Sequence, residues 1–479
     1  MNYFLFACVL AVLCLVMIVL IRTLCFKPKA NVKADETEVT VDSKKIIECL
    51  RELIKCKTIS YLDSNLEDEE EFQKLIKKLP ILYPNVMKNC SLIELPDRAL
   101  LYKWEGKNHS RPAVMMAHYD VVPVNEDAWS KPAFEGVLED GVLWGRGALD
   151  TKGTFNAVMC AAEQLIYEGF VPQNDIYFAF SGGEEINGQG AVNIVDHFLE
   201  NNIEPYLVVD EGGAVVENVF PGVKGKCGLI GIAEKGYINI EYKCISNGGH
   251  ASAPKPHTPV GVLAKACCNI ENHPFKSHIT KPVAEMFDTL GRHSNFLYRM
   301  IFANLWLFKG VLDLMGKLSG GELNALMRTT VAFTGMQGSD APNVIPPEAT
   351  MVSNIRLNPH DNIDSALKYL KKTVGNEDVE ISKIQGVNPS RISEIDCEQF
   401  KKVASALAST WKNTIVSPYL MVQCSDSRHY GRISDHVYRF SAMDLTSEER
   451  ASIHGNDERI RVETACKAVE FYIRLMKNC

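Results

Sequence analysis

Several carboxylates and histidines in this chain sit where ordinary packing does not account for them. His118-Tyr119-Asp120 follows the apolar run Ala113-Val114-Met115-Met116-Ala117. On an extended segment, residues two apart face the same way, so Asp120 can hydrogen-bond the far nitrogen of His118 and orient its ring for a metal. Asp150 closes Trp144-Gly145-Arg146-Gly147-Ala148-Leu149-Asp150, where the glycines imply a tight loop that aims one carboxylate. The bland alternative is a helix N-cap. Glu184-Glu185 comes directly after Ile176-Tyr177-Phe178-Ala179-Phe180 and the turn Ser181-Gly182-Gly183. Adjacent carboxylates there repel unless a cation or a shared proton relieves them. Because they point in different directions, one can bind metal while the other faces an attacking water. Asp210-Glu211-Gly212-Gly213 repeats the theme at the next strand end. His454, in Ser452-Ile453-His454-Gly455-Asn456-Asp457-Glu458, is a lone loop histidine and by itself reads as a surface residue.

Taken together, these residue types describe a co-catalytic metal pair. One Asp can bridge two ions roughly 3.5–4 Å apart, each ion completed by one His and one terminal carboxylate. Ligation by His, Asp and Glu without Cys suits zinc, with manganese or cobalt as alternatives. Bound water then ionises near neutral pH and a carboxylate base receives its proton.

The elements that position these groups alternate. Helical spacing over 44–57, strands over 113–117 and 176–180 with a helix over 154–168 between them, and a strand over 206–209 indicate an α/β catalytic domain with a largely parallel central sheet flanked by helices. In open sheets of this kind ligands gather at the carboxyl ends of the strands, just where the candidate residues lie. After Glu234-Lys235-Gly236 the pattern changes. Strands over 237–245, 329–333, 350–357 and 379–384, with helices over 260–270 and 363–374, predict a smaller two-layer β-α-β-β-α-β domain inserted in the first. The chain then returns through helices over 398–410 and 462–476. The expected boundaries are a transmembrane anchor at 1–25, a linker at 26–42, the catalytic domain at 43–234 and 389–479, and the inserted domain at 235–388. An apolar insertion near 275–328 contains Phe296, Leu297, Phe302, Leu305, Trp306, Phe308, Leu312, Leu314 and Met315. It reads either as packing against the small domain or as a pocket wall or membrane-facing surface.

The segments MMAHYDVVPV, WGRGALDTKG, SGGEEINGQGA, VVDEGG, NGGHASAP and HGNDE, in this order and spacing over 45–479, resemble the two-domain dinuclear zinc peptidases that include carboxypeptidase S, glutamate carboxypeptidase and the aminoacylases. The resemblance is nearest to the carboxypeptidase S and N-acyl-amino-acid hydrolase branch, through His118-Tyr119-Asp120-Val121-Val122-Pro123-Val124 and Ser425-Asp426-Ser427-Arg428-His429-Tyr430. It implies a hydrolase that cleaves the amide bond of peptides or N-acyl amino acids bearing a free carboxylate. His118 and Asp210 would hold one zinc, Glu185 and His454 the other, and Asp150 would bridge them across a cis Asp150-Thr151 bond. Asp120 would orient His118 and Glu184 would act as general base. The inserted domain would serve as lid and dimerisation unit, its Gly248-Gly249-His250 reaching a neighbouring site to stabilise the oxyanion. Asn343 and Arg356 would line the substrate site. Arg428 and Arg356 are the candidates to grip the substrate carboxylate, since a guanidinium can hold both oxygens. A dipeptidase or deacetylase of small polar substrates, and a metal-free binding protein on the same fold, are the rival readings.

Composition limits the partners. A net charge of −8 with 23% charged residues lacks the basic stripe that nucleic acid requires. Fifteen scattered cysteines without paired spacings argue against a disulfide framework or a zinc finger. Residues 3–21 are apolar or small over about the length that spans a bilayer, with no cleavage-type flank, which predicts a single-pass anchor in contact with lipid. Its side is open: Arg22, Lys27, Lys29 and Lys33 favour a cytoplasmic enzyme, whereas Asn89-Cys90-Ser91 and Asn108-His109-Ser110 match glycosylation acceptors.

Overall fold

The computed structural model describes residues 2–29, 32–218 and 220–479. Met1 of the expected anchor and Ala30 and Asn31 of the expected linker lie outside the described residues. The large sheet has eight strands in the order Cys90–Leu95, Ala99–Trp104, Asn174–Ser181, Asn108–His118, Leu207–Glu217, Val437–Leu445, Lys226–Glu234, Ile415–Met421. It is parallel through its centre, from Asn174–Ser181 to Val437–Leu445, and antiparallel at one edge. The central strands are buried on both faces, as helix-covered parallel strands must be. Ala113, Met115 and Ala117 join the larger core with the helices Ser43–Ile54, Lys152–Tyr167 and Val462–Lys477. Val114 and Met116 pack on the other face against Ile194, Val195 and Phe198 of the helix Gly190–Glu200.

The smaller sheet is wholly antiparallel, in the order Thr330–Gln337, Glu348–Leu357, Gly236–Ile245, Val379–Val387. The helices Pro259–Asn272 and Ile363–Val374 cover one face of it, around Tyr242, Leu263, Met351 and Leu370. The chain order is the β-α-β-β-α-β read from the sequence. The apolar insertion forms the helices Lys281–His293, Phe296–Ala303, Leu305–Ser319 and Gly321–Met327. They touch the small domain through polar contacts, such as Asn358 Nδ2 to Leu326 O at 3.2 Å, but their buried apolar side chains belong to the other core. Val283, Met286, Phe287 and Leu290 join the core of the large sheet, against its edge strand Ile415–Met421. An edge strand left bare is a template for unwanted pairing, and the insertion covers it.

The N-terminal helix, Asn2–Cys25, is long and apolar enough to cross a membrane, and its side chains are almost all exposed. Only its last turns touch the protein: Arg22 donates twice to Ala303 O (3.2 and 3.0 Å), and Asn304 Nδ2 reaches Val19 O and Thr23 Oγ1, both at 3.3 Å. All fifteen cysteines are free thiols.

Candidate two-metal site

The candidate residues meet at the carboxyl ends of the central strands. His118 ends Asn108–His118, and its neighbour strand Asn174–Ser181 delivers Ser181 opposite it, three residues before the short helical turn Glu184–Ile186. Asp150 stands at the centre. Its Oδ1 is 3.0 Å from His118 Nε2 and its Oδ2 is 3.1 Å from His454 Nε2. The second partner of His454 is Glu185 Oε2, at 3.1 Å. The second partner of His118 is Glu211 Oε1, at 3.5 Å. One carboxylate is thus shared between two imidazoles, each flanked by its own terminal carboxylate.

His454 lies far along the chain, and a short sheet brings it in. Arg459–Arg461 pairs antiparallel with Val142–Trp144, setting Arg459 opposite Trp144, so the His454 loop lies beside the glycine loop of Asp150. Gly147 takes φ +86° there, and a Cβ on it would meet Val121 at 2.9 Å, so only glycine fits. Glu458, fully buried, holds this loop: it accepts hydrogen bonds from Arg146 Nη1 (2.7 Å), Gly147 N (3.1 Å), Leu149 N (2.7 Å) and Asp150 N (3.1 Å). Thr151 Oγ1 ties the same loop to the backbone of His118. The Asp150-Thr151 bond is cis.

Asp120 does more than orient a ring. His118 Nδ1 lies 3.0 Å from the Asp120 carbonyl oxygen and 3.3 Å from its Oδ1. The same carboxylate accepts the backbone N–H groups of Glu184 (3.1 Å) and Glu185 (3.2 Å). One buried residue therefore fixes the tautomer of His118 and the turn that carries both glutamates.

The structure does not bring Asp210 to the histidines. Its carboxylate accepts Ser427 N at 2.9 Å and is buried beside Asp426, away from both histidines. Neighbouring residues on a strand point to opposite faces, so when Asp210 faces inward it is Glu211 that faces His118. Glu211 and Glu458 are the residues that sequence reasoning missed. The motifs VVDEGG and HGNDE contain both, but the continuously buried run Leu207-Val208-Val209 leaves the facing of Asp210 and Glu211 unmarked in the sequence.

Burial pushes the Glu211 carboxyl up to about 8, with Asp150 adding to it. Burial likewise raises Glu184 well above the usual carboxylate range and raises Glu185. Hydrogen bonds to Asp150 and Glu185 raise His454 to about 10. Burial works against ionising Asp150, yet its two histidine partners hold it below its ordinary value. Asp150, Glu185 and Glu211 pair with no lysine or arginine among the described residues, and Glu185 Oε1 is buried without a hydrogen-bond partner. Converging carboxylates with no lysine or arginine counter-charge, arranged around imidazole nitrogens, fit divalent metal ions. His118, Asp150 and Glu185 bring ligand atoms within 4.8 Å of one another, and so do His118, Glu184 and Glu211. Cys424 lines the same cleft, but its thiol donates to Lys235 O (3.2 Å) and burial pushes it up to about 11.

The remaining expected residues divide. Arg356 approaches the cleft from the small sheet, with Nη1 3.5 Å from Cys424 Sγ. Arg428 is almost fully buried, 3.9 Å from Asp426, and its Nη1 has no partner. His250 and Asn343 are not brought to this cleft. They lie on an exposed two-stranded ribbon, Gly249–His250 with Val344–Ile345, where Ala251 N donates to Asn343 O.

The cleft has a volume of about 420 Å³ and is walled by Leu229, Tyr419, Met421 and Met443. Behind Leu229, Glu322 and Tyr419, which line both spaces, lies a second cavity of about 160 Å³. Its other walls are apolar and come mostly from the insertion, including Phe287, Tyr298, Phe302, Leu312 and Leu326. Trp306 and Phe308 are not among them.

Comparison with known proteins agrees with this geometry. The family model described as peptidase family M20/M25/M40 matches residues 114–478. The chain is 34% identical to the probable carboxypeptidase S-like 2 of Dictyostelium discoideum, covering 97% of this chain and 92% of that one. It is 32% identical, with the same coverage, to the N-fatty-acyl-amino acid synthase/hydrolase PM20D1 of Xenopus tropicalis. In fold it is similar to the M20 family metallo-carboxypeptidase Sso-CP2 from Sulfolobus solfataricus, with a TM-score of 0.65 at 19% identity over 90% of this chain and 98% of that one.

Proposed function

The chain belongs to peptidase family M20/M25/M40, and from that premise we propose that it hydrolyses the amide bond of N-acyl amino acids with long aliphatic acyl groups and a free carboxylate. The observation that carries the reaction is the sharing of Asp150 between His118 and His454. His118 and Glu211 would hold one ion, Glu185 and His454 the other, with Asp150 bridging. Zinc is our choice of metal, on the ground of imidazole and carboxylate donors without thiolate. When bound, such a pair supplies the Lewis acidity that lowers the pKa of water and polarises an amide carbonyl.

The chain's own residues do the rest. Glu184 faces the cleft from a turn pinned by Asp120, and its carboxylate takes a proton from the attacking water and returns it to the departing amide nitrogen. A base of raised pKa is suited to both transfers near neutrality. Arg356 and Arg428, near Cys424 and Glu184, supply the guanidinium charge for the substrate carboxylate. The anchor reading of the N-terminal helix belongs to the same proposal: an enzyme held at a bilayer meets amphiphilic substrates there.

The apolar cavity beside the cleft favours long acyl chains over the small polar substrates of a dipeptidase. Burying each methylene is worth about 0.8 kcal/mol, or roughly fourfold in kcat/KM. A panel of N-acyl amino acids from acetyl upward, with dipeptides, assayed with and without chelator, tests this. Chelator-sensitive cleavage should rise with chain length, and Leu323→Trp, which fills the cavity, should flatten the rise while sparing the acetyl substrate. Faster cleavage of dipeptides than of any long-chain substrate would refute the acyl preference and favour the dipeptidase reading.

A further inference from the structure

The insertion carries more apolar surface than the core uses. The helix Leu305–Ser319 buries Leu312 and Gly316 on one side. On the other side Leu307, Val311, Leu314 and Leu318 recur at spacings of four, three and four, which places them on one stripe. That stripe is exposed, Leu318 at 80% and its neighbour Trp306 at 57%. Phe296 and Leu297 of the preceding helix Phe296–Ala303 are exposed as well. A helix apolar on both faces, one packed on protein and one bare, calls for an apolar partner.

Its position identifies the partner. The helix begins one residue after Asn304, whose side chain bonds Val19 and Thr23 of the N-terminal helix, while Arg22 caps Ala303 O. Arg22 is the first charge after the apolar span, so these bonds fix Ala303 and Asn304 at the bilayer boundary. The bare stripe starts there with a tryptophan, a residue suited to that depth. Lys309 and Lys317, exposed on the same helix, can extend to headgroups while their stems lie along the apolar surface.

We propose that the outer face of Phe296–Ala303 and Leu305–Ser319 is a second membrane contact, seated among the acyl chains at the boundary of the leaflet from which the N-terminal helix emerges. The helix then lies in the interface, as amphipathic helices with apolar and basic faces do. The cavity beside the cleft is its neighbour: Met315 lines that cavity and is 40% exposed on the outer side. A single helix separates lipid from the acyl pocket, so a substrate can pass from bilayer to cleft without crossing water. The contact rests on the anchor reading, and the route for substrate rests on the proposed acyl specificity.

The test uses the full chain in phosphatidylcholine nanodiscs whose acyl chains carry bromine close to the headgroups. Trp306 should be quenched relative to discs of unbrominated lipid, and Trp306→Phe should abolish the quenched component, because the other four tryptophans belong to the catalytic region. Val311→Glu/Leu314→Glu/Leu318→Glu should lose the quenching and the turnover of long-chain substrate supplied in the bilayer, while keeping turnover of a soluble acetyl substrate. Quenching unchanged by Trp306→Phe, or absent in a chain that has entered the discs, overturns the proposal; in the second case crosslinking between two copies through this face would identify the true occupant. Failure of the chain to enter the discs refutes the anchor and the inference together. Absence of amide hydrolysis by the parent, with quenching intact, refutes only the functional reading.

Discussion

Replacing Glu458 by glutamine should unfasten the Asp150 loop. Each oxygen of this buried carboxylate serves two donors: Oε2 takes Arg146 and Gly147 N, and Oε1 takes Leu149 N and Asp150 N. Four donors and no acceptor surround it, so only the ionised carboxylate satisfies them all, even though burial raises its pKa. Glutamine keeps the volume but offers one acceptor oxygen, and its NH₂ would face either two backbone donors or a guanidinium. Arg146, whose side chain is 3% exposed, also loses its counter-charge. Breaking a buried pair from one side costs about 3–5 kcal/mol. Expressed as local opening, that is roughly 10²- to 10⁴-fold faster amide exchange, confined to Gly147, Leu149 and Asp150. Hydrogen exchange of the peptide that contains this loop reads it directly. Because the loop aims the shared carboxylate, metal affinity should fall by about 10- to 100-fold, as it does when other supporting residues of metal sites are lost. Exchange at these amides and metal affinity both equal to the parent's would show that the turn and Thr151 hold Asp150 without Glu458, and the reasoning would be wrong.

The other predictions concern the site itself. Glu184→Gln should retain both metals by elemental analysis yet lose about 10²- to 10⁴-fold in kcat; full turnover would end its role as base. Glu211→Gln should lower the metal content from two ions to one, whereas Asp210→Asn should keep both, and the reverse outcome would restore Asp210 as the ligand. Chelated protein should melt at progressively lower temperature between pH 5 and pH 8. Glu211 titrates near 4.5 when unfolded and near 8 when folded, so the folded state binds the extra proton and stability falls as pH rises through that window. His454 acts in the same direction, its contribution complete below 6.5 and lost as pH rises through about 10. Metal displaces these protons, so the metal-loaded protein should lack the slope; an identical slope with metal present would refute the assignment.

Much of the fold could be read because its central strands and helices carry strong local signals. The strands around Met115 and Phe178 are continuous apolar runs, and the helix Lys152–Tyr167 follows a glycine loop. The strand Ile415–Met421 carries Pro418, which argues against a central strand; it lies at the sheet's edge, where proline is tolerated. His454 looked like a surface residue because three residues of pairing, Arg459–Arg461 with Val142–Trp144, bring it in, too few to leave a pattern. Asp210 and Glu211 could not be told apart by periodicity, since Leu207, Val208 and Val209 are all buried and no alternation marks which face is which.

The deeper reason lies in how the site is built. Two of its carboxylates are held away from the histidines' open nitrogens and do structural work. Asp120 gathers the N–H groups of Glu184 and Glu185, and Glu458 gathers those of Leu149 and Asp150. Each is fully buried, and each fixes the backbone from which a carboxylate of the cleft projects. Residue type cannot separate these groups from ligands, because a hydrogen-bond acceptor and a metal donor are the same chemical group. Only direction does: the oxygens of Asp120 and Glu458 each gather backbone N–H groups, whereas Asp150, Glu185 and Glu211 turn an oxygen to an imidazole Nε2. A sequence pattern of this kind therefore gathers the cluster without telling which carboxylate faces imidazole and which faces the backbone. For this chain the distinction is measurable, since Glu458→Gln should weaken both metals together through Asp150, whereas Glu211→Gln should cost one.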